Sequence, residues 1–190
     1  RSLVGSEMCI RDSVNSTPIP PLSPGRMLEV GCASGAYLDY MAKKGWLVQG
    51  IEFSEEVAQS ARDLGYQVHG GALETAPQPD ELFDLVVGWM VLEHLHDPVT
   101  GLKKLHKWAK PNGWLALSIP NADSLEFNLF KDKGYALQVP THIYHYTPNS
   151  LEKVLHAGGW TIKKIYHQRT LNNFIGSIGY ILRDKGFTKI

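Results

Sequence analysis

The chain has 190 residues, of which 43% are hydrophobic and 20% are charged, as is usual for one soluble globular domain. Its 19 basic residues equal its 19 acidic residues, so we expect no strong net field and no nucleic-acid partner. No apolar run approaches the roughly 20 residues that a transmembrane helix needs. Two cysteines do not suggest a disulfide scaffold, so we predict a reducing, cytoplasmic setting.

The first 13 residues, RSLVGSEMCIRDS, show no apolar periodicity, and we predict neither a helix nor a strand in them. Residues 8–13 are what the codons ATG-TGT-ATA-AGA-GAC-AGN encode. That string resembles a transposase end sequence used in preparing DNA sequencing libraries. We therefore interpret residues 1–13 as a sequencing-adapter artefact. The alternative is a natural disordered leader.

The next segment, residues 14–26, is rich in proline and is typical of a linker or an extended approach to a domain. From Met27 onward, strand-like and helix-like segments alternate, which predicts an α/β fold with a mainly parallel sheet. The predicted strands are 27–30, 47–51, 67–69, 84–88, 114–119 and 160–166, the last of them at an edge. The predicted helices are 37–44, 55–63, 99–109, 148–157 and 171–182. Ser54, Asp97 and Thr147 are the predicted N-caps.

The C-terminal part divides into an irregular, aromatic-containing insert (121–140) and a helical extension (167–190) after the core (27–166). The helix at 171–182 is amphipathic. It fits an ordinary core-packing helix, a lid over the site, or a helix that lies on a membrane surface. Gly176 and Gly179 lower its helix propensity.

A short strand that runs into a glycine-containing turn and then a helix is typical of a site for an anionic or nucleotide ligand. Here the turn spans residues 29–35, EVGCASG. It fits the dinucleotide pattern only if Ala33 and Ala36 replace two glycines. By itself the turn is therefore a weak signal.

Several further motifs follow the turn in order. They are Phe83-Asp84-Leu85-Val86-Val87, Leu92-Glu93-His94, Lys110-Pro111-Asn112-Gly113 and Ser118-Ile119-Pro120-Asn121. Together they resemble class I S-adenosylmethionine-dependent methyltransferases, in the branch of quinone-biosynthesis and related small-molecule enzymes. The resemblance implies a Rossmann-like doubly wound sheet with helices on both faces. The sheet of that family ends with an antiparallel strand, and no segment after residue 167 resembles it. We therefore predict that the C-terminus is truncated.

The resemblance implies S-adenosyl-L-methionine as the cofactor. The residues implied to bind it are Glu29, Gly31, Cys32, Ala33, Gly35, Glu52, Phe53, Ala72, Leu73 and Trp89. Glu52, at the end of the second strand, would accept the ribose hydroxyls. Ala72 stands where many relatives carry aspartate, so adenine would be bound by backbone groups. Trp89 is either an aromatic wall for the cationic sulfonium or a buried packing residue, and Cys32 is a small packing residue.

Methyl transfer to a small-molecule acceptor, by in-line displacement, is the implied reaction. A general base would help a hydroxyl acceptor, and histidine suits neutral pH. His142 and His94 are the candidate catalytic residues, with a structural role as the alternative for each. Thr141 stands where relatives often have arginine, so an anion contact is lost.

Glu93, His94 and His96 could in principle bind a metal ion. Adjacent residues on a helical turn do not face the same ion, so we predict no metal. Cys32, beside the turn, is more typical of a small packing residue than of a nucleophile.

We expect a small-molecule acceptor, lipid-linked or from an envelope precursor, and contact with a membrane surface. Two other functions stay open: a non-catalytic S-adenosylmethionine-binding module and a nucleotide-dependent oxidoreductase.

Overall fold

The computed structural model describes residues 2–6, 21–167 and 171–184. Its strands are β1 (Ser2–Ser6), β2 (Arg26–Val30), β3 (Leu47–Glu52), β4 (Gln67–Gly70), β5 (Phe83–Trp89), β6 (Ala109–Ile119) and β7 (Ile162–His167). They form one seven-stranded sheet in the order β4-β3-β2-β5-β6-β1-β7. Every ladder between these described strands is parallel.

Helices connect the strands. They are α1 (Ala36–Ala42), α2 (Glu55–Asp63), α3 (Pro98–Trp108), α4 (Leu125–Phe130), α5 (Pro148–Ala157) and α6 (Leu171–Asp184). Short 3-10 helices cover Leu92–His94, Lys131–Lys133 and Tyr135–Leu137. The alternation of strands and helices confirms the predicted doubly wound α/β class.

Three helices begin where the sequence predicts, because a side chain accepts a hydrogen bond from an otherwise free N–H group of the first turn. Ser54 accepts from the N–H of Val57, and Asp97 from that of Thr100. Thr147 forms a reciprocal capping box with Ser150. These local signals are confirmed.

The central strands are apolar on both sides, as expected for a parallel sheet covered by helices. Alternate residues of β5 enter different clusters: Val86 packs with α3 and α5, whereas Leu85 and Val87 pack with α1 and α2. The first cluster includes Leu102, Trp108, Leu155 and Trp160, and the second includes Leu38, Met41, Ala58 and Ala61. The core therefore lies on both faces of the sheet.

The prediction of no strand within residues 1–13 is wrong for residues 2–6. These residues form β1, which pairs with both β6 and β7. The physical reason is that a strand between two unpaired edges gains backbone hydrogen bonds on both sides, which any non-proline sequence can make. The strand β7 is at one edge of the sheet, as predicted.

Two further boundaries differ from expectation. The motif Lys110-Pro111-Asn112-Gly113, which precedes the predicted strand 114–119, lies within β6, where Phe83 pairs with Ala109 but Leu85 pairs with Trp114. Residues 110–113 therefore form a bulge opposite Asp84, whose carboxylate accepts hydrogen bonds from Lys110. The insert 121–140, expected to be irregular, contains α4, because Ser124 caps its first turn.

Candidate functional site

A cleft of about 970 Å³ opens at the carboxyl ends of β2, β3 and β5, the edge at which open α/β sheets bind ligands. Predicted site residues that line it are Gly31, Glu52, Phe53, Ala72, Leu73, Trp89 and His94. The other side is formed by Pro140, Thr141 and Ile143, of which the sequence analysis singles out only Thr141. Glu29, Cys32, Ala33, Gly35 and His142 are near this edge but are not among the lining residues.

The glycine turn bends through left-handed backbone at alternate residues. Gly31, Ala33 and Gly35 have φ angles of 73°, 47° and 86°. The N–H groups of Gly31 and Cys32 both donate to the carbonyl of Ile51, at 2.8 and 3.1 Å, which holds the turn against β3. Ala33 is thus a departure from glycine in the backbone region where a Cβ costs conformational energy.

Replacing Gly35 by alanine is expected to destabilise the protein by about 2–4 kcal/mol. The added Cβ would combine an unfavourable φ with a contact of 2.8 Å to the Cβ of Ala61. Gly65→Ala is the matched control, because its φ is 91° but its Cβ would meet no described atom within 4 Å. Urea denaturation should give the control a loss of only about 1 kcal/mol. Equal losses in the two variants would contradict the close packing of Gly35.

Glu52 joins the glycine turn to the end of β3. One carboxylate oxygen, Oε2, accepts from the N–H of Ala33 at 2.9 Å, and Oε1 accepts from the N–H of Ser54 at 3.0 Å. Each oxygen has a second lone pair for a ligand. The carboxylate is therefore held at the wall of the cleft by two backbone N–H groups. The neighbouring Phe53 is 80% exposed and lines the same wall.

Two buried groups lie beneath this turn. Burial, and then the charge of Glu52, raise the pKa of Glu29 to about 8. Its Oε2 has no hydrogen-bond partner among the described residues. Burial, with the charges of Glu29 and Glu52, raises the pKa of the Cys32 thiol to about 12. The thiol thus stays protonated at neutral pH, which supports a packing role.

Trp89, at the end of β5, is both a packing residue and part of the cleft wall. It is 6% exposed and contacts Tyr37 edge to face, with ring centroids 5.4 Å apart. At the opposite wall, the carbonyl of Ala72 already accepts from the N–H groups of Thr75 and Ala76. The contact of Ala72 with an adenine ring stays a prediction.

His94 is exposed and lines the cleft. Its Nδ1 is 2.8 Å from the carbonyl oxygen of Thr141. Because a carbonyl can only accept, Nδ1 must carry the proton, and Nε2 of the neutral ring is left as the acceptor. This tautomer is assigned from the hydrogen-bond geometry. It leaves Nε2 of His94 able to receive a proton.

His142 is buried behind His94. The two rings pack edge to face with centroids 4.8 Å apart, and Nδ1 of His142 is 3.0 Å from the carbonyl oxygen of Ala136. Burial, and then the neighbouring imidazoles of His94 and His145, lower the pKa of His142 against the opposing effect of the Ala136 carbonyl. His142 is 4% exposed, so direct contact with an acceptor stays a prediction.

Glu93 lies below the two histidines and is fully buried. Neither carboxylate oxygen has a partner among the described residues, and burial raises the pKa of Glu93 to about 8. Its carboxylate and ring nitrogens of His94 and His142 lie within 4.8 Å of one another, a donor set that could hold a metal ion. The 3-10 turn thus brings Glu93 and His94 closer together than expected. A metal-independent reaction stays a prediction.

His142 was not predicted to join this cluster, because it is distant from Glu93 in the sequence. The connection is through the backbone: the N–H groups of Ile143 and Tyr144 both donate to the carbonyl of Glu93, at 2.9 and 3.2 Å. No local sequence pattern predicts such a hydrogen bond. His96, the third residue considered for a metal, is outside the cluster and lines the cleft instead.

The known proteins that this chain is similar to are methyltransferases. The family described as "Methyltransferase domain" matches residues 9–165. The ubiquinone biosynthesis O-methyltransferase of Thiobacillus denitrificans is 31% identical over 117 residues, covering 57% of this chain and 50% of the relative. That of Bordetella bronchiseptica is 33% identical over 135 residues, covering 65% and 56%. The chain spans about half the length of these curated relatives.

Solved structures share the fold. A S-adenosylmethionine-dependent methyltransferase of Thermotoga maritima, described as a possible histamine N-methyltransferase, has a TM-score of 0.59 at 25% identity. Magnesium protoporphyrin IX methyltransferase of Synechocystis, solved with bound SAH, has a TM-score of 0.57 at 21% identity. Each match covers 73% of this chain and 65% of the other.

Within the described ranges, no helix has the length and apolar character needed to cross a membrane. The family match covers most of the chain and includes the glycine turn, Glu52 and the Leu92-Glu93-His94 segment. By fold and sequence the chain belongs to the methyltransferase domain family, among the class I S-adenosylmethionine-dependent methyltransferases.

Proposed function

We propose that this chain binds S-adenosylmethionine in the cleft and transfers its methyl group to a small-molecule acceptor by in-line displacement. The position of Glu52 is the observation that carries the proposal. Its carboxylate is held at the cleft wall by the N–H groups of Ala33 and Ser54, where it can accept the two ribose hydroxyls.

The remaining proposed cofactor contacts lie in the cleft or beside it. Gly31, Ala33 and Gly35 let the methionyl part approach the backbone, while Glu29 and Cys32 support the turn from below. Phe53, Ala72 and Leu73 contact the adenine. Trp89 lines the cleft near the end of β5, where its ring can face the sulfonium. A sulfonium is an activated methyl donor, so the protein mainly has to orient the acceptor.

On the acceptor side we assign the general base to His94. A hydroxyl proton passes to Nε2 of His94 as the acceptor oxygen attacks the methyl carbon and the bond from that carbon to sulfur breaks. The products are the methylated acceptor, S-adenosylhomocysteine and an imidazolium. His142 supports the His94 ring from behind. This division follows from exposure, because His94 lines the cleft and His142 is buried.

Two acceptor classes are favoured by the relatives. The curated relatives are named O-methyltransferases of ubiquinone biosynthesis, which supports a phenolic hydroxyl on a quinone precursor. The Thermotoga structure is described as a possible histamine N-methyltransferase, which makes an amine the second candidate. A cytoplasmic setting and the absence of a nucleic-acid partner remain part of this proposal.

A lipid-linked acceptor and contact with a membrane surface are also supported by exposed apolar side chains. Leu125 and Leu129 of α4 are 83% and 59% exposed, and Ile175 of α6 is 63% exposed. Sedimentation with anionic lipid vesicles should carry down the protein. The variant L125A/L129A/I175A should remain in the supernatant if these side chains make the contact.

Calorimetric titration with S-adenosylmethionine, followed by assays of S-adenosylhomocysteine release with catechol and with histamine, tests the main proposal. Binding with release in the presence of either acceptor supports it. Binding without transfer to any phenol or amine in a wider panel would favour a non-catalytic cofactor-binding module. Tighter binding of NAD than of S-adenosylmethionine would favour an oxidoreductase instead.

A further inference from the structure

The helix α6 is held against the insert by a buried polar contact that neither the cofactor site nor the general base uses. Ser177 of α6 is 0% exposed. Its hydroxyl oxygen accepts from the N–H of Tyr135 at 2.8 Å, and its O–H donates to Oε1 of Glu126 at 3.2 Å. We call Glu126, Tyr135 and Ser177 the α6 junction. A satisfied buried polar contact of this kind fixes one register between two elements.

Close packing around the junction fixes the same register. A Cβ on Gly176 would lie 2.6 Å from the ring of Tyr135, so glycine permits α6 to approach that ring. Phe174 packs on Phe130, with centroids 5.0 Å apart, and Tyr180 packs on Tyr135 at 5.6 Å. The side chains around the α6 junction thus pack closely in one arrangement.

From the junction, hydrogen bonds lead to the histidines. Tyr135 begins a 3-10 helix whose next two carbonyls each face an imidazole. The carbonyl oxygen of Ala136 is 3.0 Å from Nδ1 of His142. That of Leu137 is 2.8 Å from Nε2 of His145. His142 in turn packs against the ring of His94 in the cleft.

We propose that Ser177 is a positioning residue for the acceptor half of the site. It holds the 3-10 helix Tyr135–Leu137 so that its carbonyls orient His142, which packs against His94, and His145, which lies beside His142. Docking of α6 therefore completes the acceptor half and leaves the cofactor half unchanged. This inference rests on the proposed function, because the site has an acceptor half only if the chain methylates an acceptor. The main contacts of α6 are with α4 and the 3-10 helices of the insert. This explains why its docking affects the acceptor half of the site and not the cofactor half.

The experiment compares Ser177→Ala with the unaltered protein by hydrogen–deuterium exchange. Loss of the hydroxyl leaves the N–H of Tyr135 unpaired, so amides in peptides covering residues 134–146 should exchange about tenfold faster. Peptides covering the glycine turn, 29–35, should not change. The affinity for S-adenosylmethionine should stay within about twofold. With catechol as the probe, KM should rise more than kcat falls.

Two further variants separate positioning from general loss of stability. Gly176→Ala disturbs the same contact by shape and should reproduce the exchange pattern of Ser177→Ala. Ser177→Thr keeps the hydroxyl and should restore slow exchange. Ser60→Ala, an exposed serine of α2, is the matched control and should match the unaltered protein.

Unchanged exchange at 134–146 in both Ser177→Ala and Gly176→Ala would overturn the inference. Acceleration that extends equally to 29–35, with weaker S-adenosylmethionine binding, would also overturn it, because it indicates only lower global stability. Failure of the unaltered protein to bind S-adenosylmethionine would refute the proposed function. The exchange pattern is independent of that result and would still decide whether Ser177 positions the histidines.

Discussion

Replacement of Glu52 by alanine is expected to weaken S-adenosylmethionine binding by about 100-fold or more, because two charge-assisted hydrogen bonds contribute about 1.5–3 kcal/mol each. The loss has two sources. The ribose hydroxyls lose their acceptor, and the N–H groups of Ala33 and Ser54 lose the carboxylate that holds the turn. Calorimetric titration of the folded variant gives the dissociation constant directly.

Glu56→Ala is the matched control for this experiment. Glu56 is exposed in the first turn of α2, a short distance along the chain from Glu52, and its removal should leave the affinity within about twofold. Glu52→Gln keeps the size of the side chain and should still lose most of the affinity, since the charge is removed. An affinity for Glu52→Ala within threefold of the unaltered protein would refute the ribose assignment.

The stability of the cofactor-free protein is expected to fall as the pH rises from about 7 to about 8.5. The pKa values of Glu29 and Glu93 are both raised from 4.5 to about 8 in the folded state. Between these pH values the folded state retains protons that the unfolded state has lost. The stabilisation present below pH 4.5 is therefore lost progressively between about pH 4.5 and 8, on the order of several kcal/mol in total for each carboxyl, of which about 1 kcal/mol falls between pH 7 and 8.5.

Urea denaturation at several pH values checks this expectation. Glu29→Gln and Glu93→Gln should each flatten the decline, whereas Glu152→Gln, at an exposed position of α5, should leave it unchanged. His142 acts in the opposite sense at lower pH, because its pKa is lowered from 6.5 and its contribution is lost as the pH falls. The informative interval is therefore between pH 7 and 8.5. A stability that is constant there in all four proteins would show that neither carboxyl retains its proton at neutral pH in the folded state.

Local chemistry explains which parts of the fold could be predicted. The side chains of the N-caps Ser54, Asp97 and Thr147 each accept a hydrogen bond from an N–H group three residues ahead. A short stretch of sequence is therefore enough to predict them. Glu52 was predictable because a parallel strand must end at the ligand-binding edge. In each case the determining interaction is local or follows from the strand order.

The features that escaped prediction depend on contacts between distant parts of the chain. β1 is a strand because β6 and β7 offer backbone partners, which its own sequence does not reveal. The meeting of Glu93 with His142 depends on a backbone hydrogen bond from Ile143. The amphipathic pattern of α6 does not predict its buried side, because Ile175 of the apolar stripe is 63% exposed whereas the polar Ser177 is 0% exposed. Only the packed structure shows what such a residue binds.

The position of β1 has a practical consequence for anyone who designs a shorter version of this chain. β7 joins the sheet through β1 and has no direct ladder with β6. A gene that starts at the glycine turn would thus remove an internal strand and leave two facing rows of backbone groups without partners. Such groups are a template for pairing between molecules. We therefore expect a product without β1 to self-associate through the middle of its sheet, which sedimentation velocity would detect.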